Sequence, residues 1–263
     1  MADPIHQFEI HKVVDLSQFS FALPGTSYVV DPSITNSVVS MMAAVALFTV
    51  VFGAVTARPQ VVPGRFQAVG EMLFGLIDGL VSSIIGHDGR KYFPYIFALF
   101  LFVLGMNLIG LFLVFTATSQ LAVTATLGLM TIVLVLIVGF AKNGVGFFKL
   151  FVPSGVPWLV LPLIIPIEII SFLLRPVTLA LRLFGNMMGG HVALKVFAGF
   201  IAGAVGMAAA GSGLMGGFVG ALSLGGVVAL TALEFLVAFL QAFVFAVLAC
   251  IYLNDVVNLG HGH

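Results

Sequence analysis

Five apolar stretches, running roughly 37 to 57, 93 to 117, 121 to 141, 157 to 206 and 222 to 256, constrain this chain more than any other feature of it. Each reaches or exceeds the about 20 residues that a helix needs to cross a hydrocarbon layer about 30 Å thick. No water is present there to satisfy backbone N–H and C=O groups, so a spanning segment must be helical or part of a closed barrel. Charged residues are 8% of the 263, where a soluble domain carries about 25%. The expected fold is an all-α integral membrane protein with about five membrane helices and one amphipathic helix.

Charge placement orients the crossings. Arg58, Arg65, Arg90 and Lys91 lie between the first and second stretches, and Lys142 and Lys149 between the third and fourth. The connections near 118 to 120 and 207 to 217 carry no charge, so the positive-inside rule puts the N-terminus outside and the C-terminus inside. The expected organisation is an outer tail over 1–36, a membrane domain over 37–256 and an inner tail over 257–263. The first tail holds Asp3, Glu9, Asp15 and Asp31 against Lys12 alone, with Pro4, Pro24 and Pro32, which predicts an acidic, irregular segment with one short helix around 4 to 12. It lacks the basic start and apolar core of a signal peptide, which fits a bacterial inner membrane. His6, His11, His261 and His263 read as solvated termini, so no metal is expected, and the lone Cys250 excludes an internal disulfide. Lys plus Arg equals Asp plus Glu at 10 each, so nothing points to nucleic acid.

Between the first two crossings, Phe66, Val69, Leu73, Leu76, Ile77, Leu80 and Ile84 recur at helical spacing, opposite Gln67, Glu71, Asp78 and Ser82. This predicts an amphipathic helix over about 66–87, lying at the membrane surface or against the bundle.

The last two stretches are too long for a simple crossing: at 1.5 Å per residue they extend roughly 75 and 50 Å. They must tilt, bend or project, and GMAAAGSGLMGG between them predicts an antiparallel hairpin over about 157–256. Glu168, Arg175 and Arg182 are spaced by seven and Asn186 follows by four, so they share one helical face. In the second arm Glu234 and Gln241 are seven apart, with Asp255 fourteen further on. About a turn near Ser212, Glu168 falls level with Asp255, Arg182 with Gln241, and His191 with Glu234. The outer and inner levels hold groups that exchange protons, and the middle level holds a guanidinium that cannot. A charge at membrane depth costs about 2.5 to 3.5 kcal/mol even on lenient scales, so Arg182 needs a job or a partner. Protons could approach Arg182 from both faces without passing straight across, and net transport would need a carboxylate carrier on a partner.

Alternatives stand beside several of these residues. Glu168 could be a water-exposed helix-end carboxylate, Asp255 a helix cap, and Asn107 a hydrogen-bonding link to a neighbouring helix rather than part of a channel. Arg175 and Lys195 read as side chains reaching for interfacial water. An anion-binding secondary transporter is the competing class, but no inverted repeat of two halves is visible. An intramembrane hydrolase lacks HExxH and GxSxG.

The stretches PVTLALRLFGNMMGGH (176–191), FLQAFVFAVLACIYL (239–253) and, more weakly, MNLIGL (106–111) resemble the a-subunit family of F-type ATP synthases. The resemblance implies two offset half-channels and a rotating ring of c subunits, each with a membrane carboxylate. It also implies b-type peripheral stalk subunits and the rest of the synthase as partners. Arg182 would hold the ring carboxylate ionised and block a proton short circuit. Gln241 would face it and Asn186 lie beside it, with Glu168 lining the inner path and His191 with Glu234 the outer one. Some bacterial members carry glutamate at the place of His191 and histidine at that of Glu234, so the pair is exchanged here. One proton crossing about 100 mV releases roughly 2.3 kcal/mol, so several must be summed per ATP. No GxxxxGK[ST] loop is present, which makes this a non-catalytic subunit without a cofactor.

Overall fold

The computed structural model describes residues 10–15, 20–22, 29–57, 60–112, 117–152, 159–209 and 213–259. Six α-helices dominate them: α1 Asn36–Ala57, α2 Arg65–Ile84, α3 Phe93–Phe112, α4 Leu121–Asn143, α5 Leu161–Ala209 and α6 Gly213–Val257. All six are long and apolar enough to cross a membrane. Yet the contacts of α2 fall at one end of the bundle. A Cβ at Gly70 would lie 3.5 Å from Val55 and 3.7 Å from Phe52, near the end of α1. The Phe74 ring is 4.7 Å from Phe93 at the start of α3, and Asn258 Nδ2 donates to the Ile85 carbonyl at 3.3 Å. α2 is thus the amphipathic helix that the periodicity predicts, running along the bundle's end beside five crossings.

The same end is tied together by polar contacts. Lys142 at the end of α4 pairs with Asp88 in the 3₁₀ turn His87–Lys91 at 2.8 Å, and Asn143 Nδ2 donates to the Val256 carbonyl at 2.6 Å. Lys142 holds the Asp88 carboxyl below its usual range. The tie is therefore intact above about pH 4 and is lost as pH falls through the lowered value.

The tail differs from the expected irregular segment. Residues 4 to 9 of its predicted short helix lie outside the described residues, and Lys12–Val14 forms a strand, β1. Phe21–Ala22, Val29–Val30 and Ile34–Thr35 form β2, β3 and β4, with β1 antiparallel to β4 and β2 to β3. Valines 13 and 14 favour extended backbone, and the Asn36 N–H donating to the His11 carbonyl at 3.0 Å closes the ladder where α1 begins.

The Gly- and Ala-rich stretch 206–217 holds the expected hairpin: helix runs up to Ala209 and resumes at Gly213. Continuing the helix satisfies backbone groups that an apolar surrounding would leave unpaired, which outweighs the poor helix propensity of glycine. Threonines follow the same logic, since the hydroxyls of Thr49, Thr126, Thr131 and Thr231 bond the carbonyl four residues back.

α5 and α6 form the hairpin, with α3 packed on α6, α4 on both arms and α1 on α3. Without a hydrophobic drive between helices in lipid, association relies on close fit, and small residues provide it. On α6, Ala238, Ala242, Ala246 and Ala249 are all 0% exposed, as are Phe100 and Val103 of α3. A Cβ on Gly128 of α4 would stand 3.0 Å from the Pro176 carbonyl, so α4 and α5 nearly touch backbones there. Ala246→Leu should overpack this seam by about 1–3 kcal/mol, read as a lower melting temperature of the assembled complex.

Candidate functional site

The hairpin carries the polar residues, and α5 persists through Pro166 and Pro176 without ending. Arg182 is exposed on α5, as are Thr178, Leu181, Gly185, Asn186 and Gly189 around it. A Cβ on Gly185 or Gly189 would meet nothing within 4 Å. Among the described residues Arg182 makes no hydrogen bond or ion pair. The guanidinium thus stands on an exposed face of α5, with bare backbone one and two turns beyond it at Gly185 and Gly189.

Arg182 and Gln241, expected at one depth, do not hydrogen-bond to each other. Gln241 is buried and its Oε1 accepts from Asn186 Nδ2 at 3.2 Å, while its Nε2 has no partner among the described residues. Arg182 lies one turn from that amide pair.

Glu168 and Asp255 do not meet directly either; Arg175 stands between them. Its Nη1 donates to Asp255 Oδ2 at 3.1 Å and its Nη2 lies 3.6 Å from Glu168 Oε1. The guanidinium carbon is 5.2 Å from the centre of the Tyr252 ring and 5.8 Å from that of Phe172. Arg175 is half-buried in an ion-pair cluster that keeps part of its surface exposed.

Glu234 is 7% exposed, and neither carboxylate oxygen has a partner among the described residues. It packs against Gly190, the residue before His191. A Cβ at 190 would collide with its Oε1 and come within 2.9 Å of its Cδ. His191 is half-buried. One turn along α6 from Glu234, Asn107 of α3 is fully buried and its Nδ2 donates to the Ala238 carbonyl at 3.2 Å. The reading of Asn107 as a link to a neighbouring helix matches this bond.

The offsets from the expected levels share one cause. Cα–Cβ bonds lean toward a helix's own N-terminus, so across an antiparallel hairpin each side chain reaches toward the far end of its partner. Gly190 has no side chain and meets Glu234 at matched depth about Ser212. Asn186 reaches about one turn further along α6, and the longer Arg175 about two.

Two features went unread in the sequence: the niche at Gly190 and the cation shared at Arg175. The tandem Gly189–Gly190 inside a long helix was the available signal for the first, because helix-interior glycine costs about 1 kcal/mol and implies a close approach.

Residues 37–254 match the family model described as ATP synthase A chain. The chain belongs to the ATP synthase A chain family. It is 48% identical to ATP synthase subunit a of Rhodopseudomonas palustris strain BisB18 over 262 residues, covering 99% of this chain and 100% of that one. It is 50% identical to the subunit a of strain HaA2 over 264 residues, covering 99% of each. For the subunit a of Bartonella bacilliformis the figures are 47% over 260 residues and 98% of each. Membership in the ATP synthase A chain family thus rests on the whole chain, with the arginine hairpin inside the matched region.

Proposed function

We propose that this chain is the stationary proton-carrying subunit of the ATP synthase membrane sector. One observation carries the reading: Arg182 stands on an exposed face of α5, at membrane depth, without a hydrogen bond or ion pair in the described residues, and the bare glycines 185 and 189 that follow it would let another helix approach. A carboxylate on a rotating ring of c subunits is the partner that such a cation would take. Arg182 then holds that carboxylate ionised at the contact, and its permanent charge keeps the two proton paths apart.

Glu234 and His191 load the ring from the outer side, Asn186 and Gln241 line the approach, Asn107 anchors α3 beside Glu234, and Glu168 receives protons on the inner side. In this reading the tail over 1–36 faces outward, the membrane domain spans 37–256 with its channel hairpin over 157–256, and residues 257–263 face inward. The membrane is a bacterial inner membrane. Partners are the ring, b-type stalk subunits, the remaining synthase, lipid and protons. The subunit makes no bond in ATP; it couples proton flow to rotation.

Vesicles containing the complete enzyme should acidify on addition of ATP, read with a pH-sensitive dye. Uptake of labelled small anions by vesicles holding only this chain, with no ATP-driven acidification by the complete enzyme, would instead favour an anion transporter built on Arg182.

A further inference from the structure

The proposal concerns Arg175 and Asp255, and it rests on the reading of Glu168 as the inner proton acceptor. A guanidinium seven residues from Arg182 on the same face adds a second fixed cation about 10 Å away along the axis. Alone, it would bind Glu168 one to one and leave the inner path carrying two cations and one spent carboxylate. Asp255 alters that balance. It takes the closer contact, 3.1 Å against 3.6 Å for Glu168. The Phe172 and Tyr252 rings lie against the guanidinium as well.

We infer that Asp255 is a positioning residue: it takes the closer contact with Arg175 and leaves Glu168 only the longer one, so that the inner path keeps a carboxylate able to take a proton arriving from beside Arg182. The cluster of Glu168, Arg175 and Asp255 then carries one net negative charge, against the single positive charge of Arg182. The two carboxylates come from different arms, Glu168 from α5 and Asp255 from α6. The same contact therefore pins the hairpin, and the test must separate a pin from a charge balance.

The test measures ATP-driven acidification by vesicles with the complete enzyme, normalised to assembled complex, for Asp255→Asn, Arg175→Gln, both together, and Glu168→Gln. Asp255→Asn should lower acidification about tenfold, the change that about 1.4 kcal/mol in a barrier makes, because Arg175 closes on Glu168. The double variant keeps one net negative charge and should recover to at least about half of wild type, a factor of two in the same measure. Arg175→Gln, which frees Glu168 directly, should do the same. A double variant as impaired as Asp255→Asn, with assembly intact, would reduce the contact to a pin and overturn the proposal. So would an unaffected Asp255→Asn beside an impaired Glu168→Gln, which leaves Glu168 as acceptor. An unaffected Glu168→Gln would remove that acceptor role and the proposal with it.

Discussion

Arg182→Ala and Arg182→Lys should each abolish ATP-driven acidification while leaving the complex assembled. Arg182 makes no bond within the described residues, so its removal costs the chain's own packing little. What disappears is its field on the approaching carboxylate. At about 5 Å and an effective dielectric of about 20, that field is worth about 3 kcal/mol, or about a hundredfold in rate. Lysine keeps a positive charge in water but releases its proton far more readily when desolvated, and it lacks the planar fork that engages a carboxylate. Acidification normalised to complex content is the measurement. Survival of pumping in either variant would show the arginine to be structural and remove the basis for two separated paths.

Glu234→Gln should lower acidification about a hundredfold, about 3 kcal/mol in barrier terms, since the amide keeps the shape and cannot shuttle a proton. Gly190→Ala supplies the sharper test of the same site. Alanine is the better helix former by about 1 kcal/mol, so α5 itself should gain stability. The new Cβ would nonetheless collide with the Glu234 carboxylate and lie 3.0 Å from its Cγ, forcing the side chain out of its niche. A loss of about tenfold or more in acidification with unchanged complex content is expected. Adding Glu234→Asp, one methylene shorter, should restore part of the loss by withdrawing the carboxylate from the new methyl. Equal pumping by wild type and Gly190→Ala would mean that the niche is incidental to proton loading.

Much of this architecture was legible because the membrane leaves few options. Length and apolarity alone mark the crossings, and the period of Phe66 through Ile84 distinguishes α2 from them. Arg182 stood out for the same reason, as a charge where charge is expensive. The tail was less legible, because the pairing of Lys12–Val14 with Ile34–Thr35 joins residues 20 or more apart. The glycine-rich stretch 206–217 marked the hairpin, and the two helices run into it from both sides because the apolar surrounding rewards a helix over glycine's poor propensity.

By itself the sequence determined that this chain spans a membrane in helices, that its last two helices fold back on each other, and that a permanent cation sits between groups able to exchange protons. These follow from hydropathy, segment length and side-chain chemistry, which are properties of residues one at a time. Only the tertiary structure decided who meets whom: Asn186 with Gln241, Arg175 with both Asp255 and Glu168, and Glu234 with the bare backbone at Gly190. Those pairings depend on the lean and reach of side chains across two opposed helices. Spacing along either helix does not contain that information.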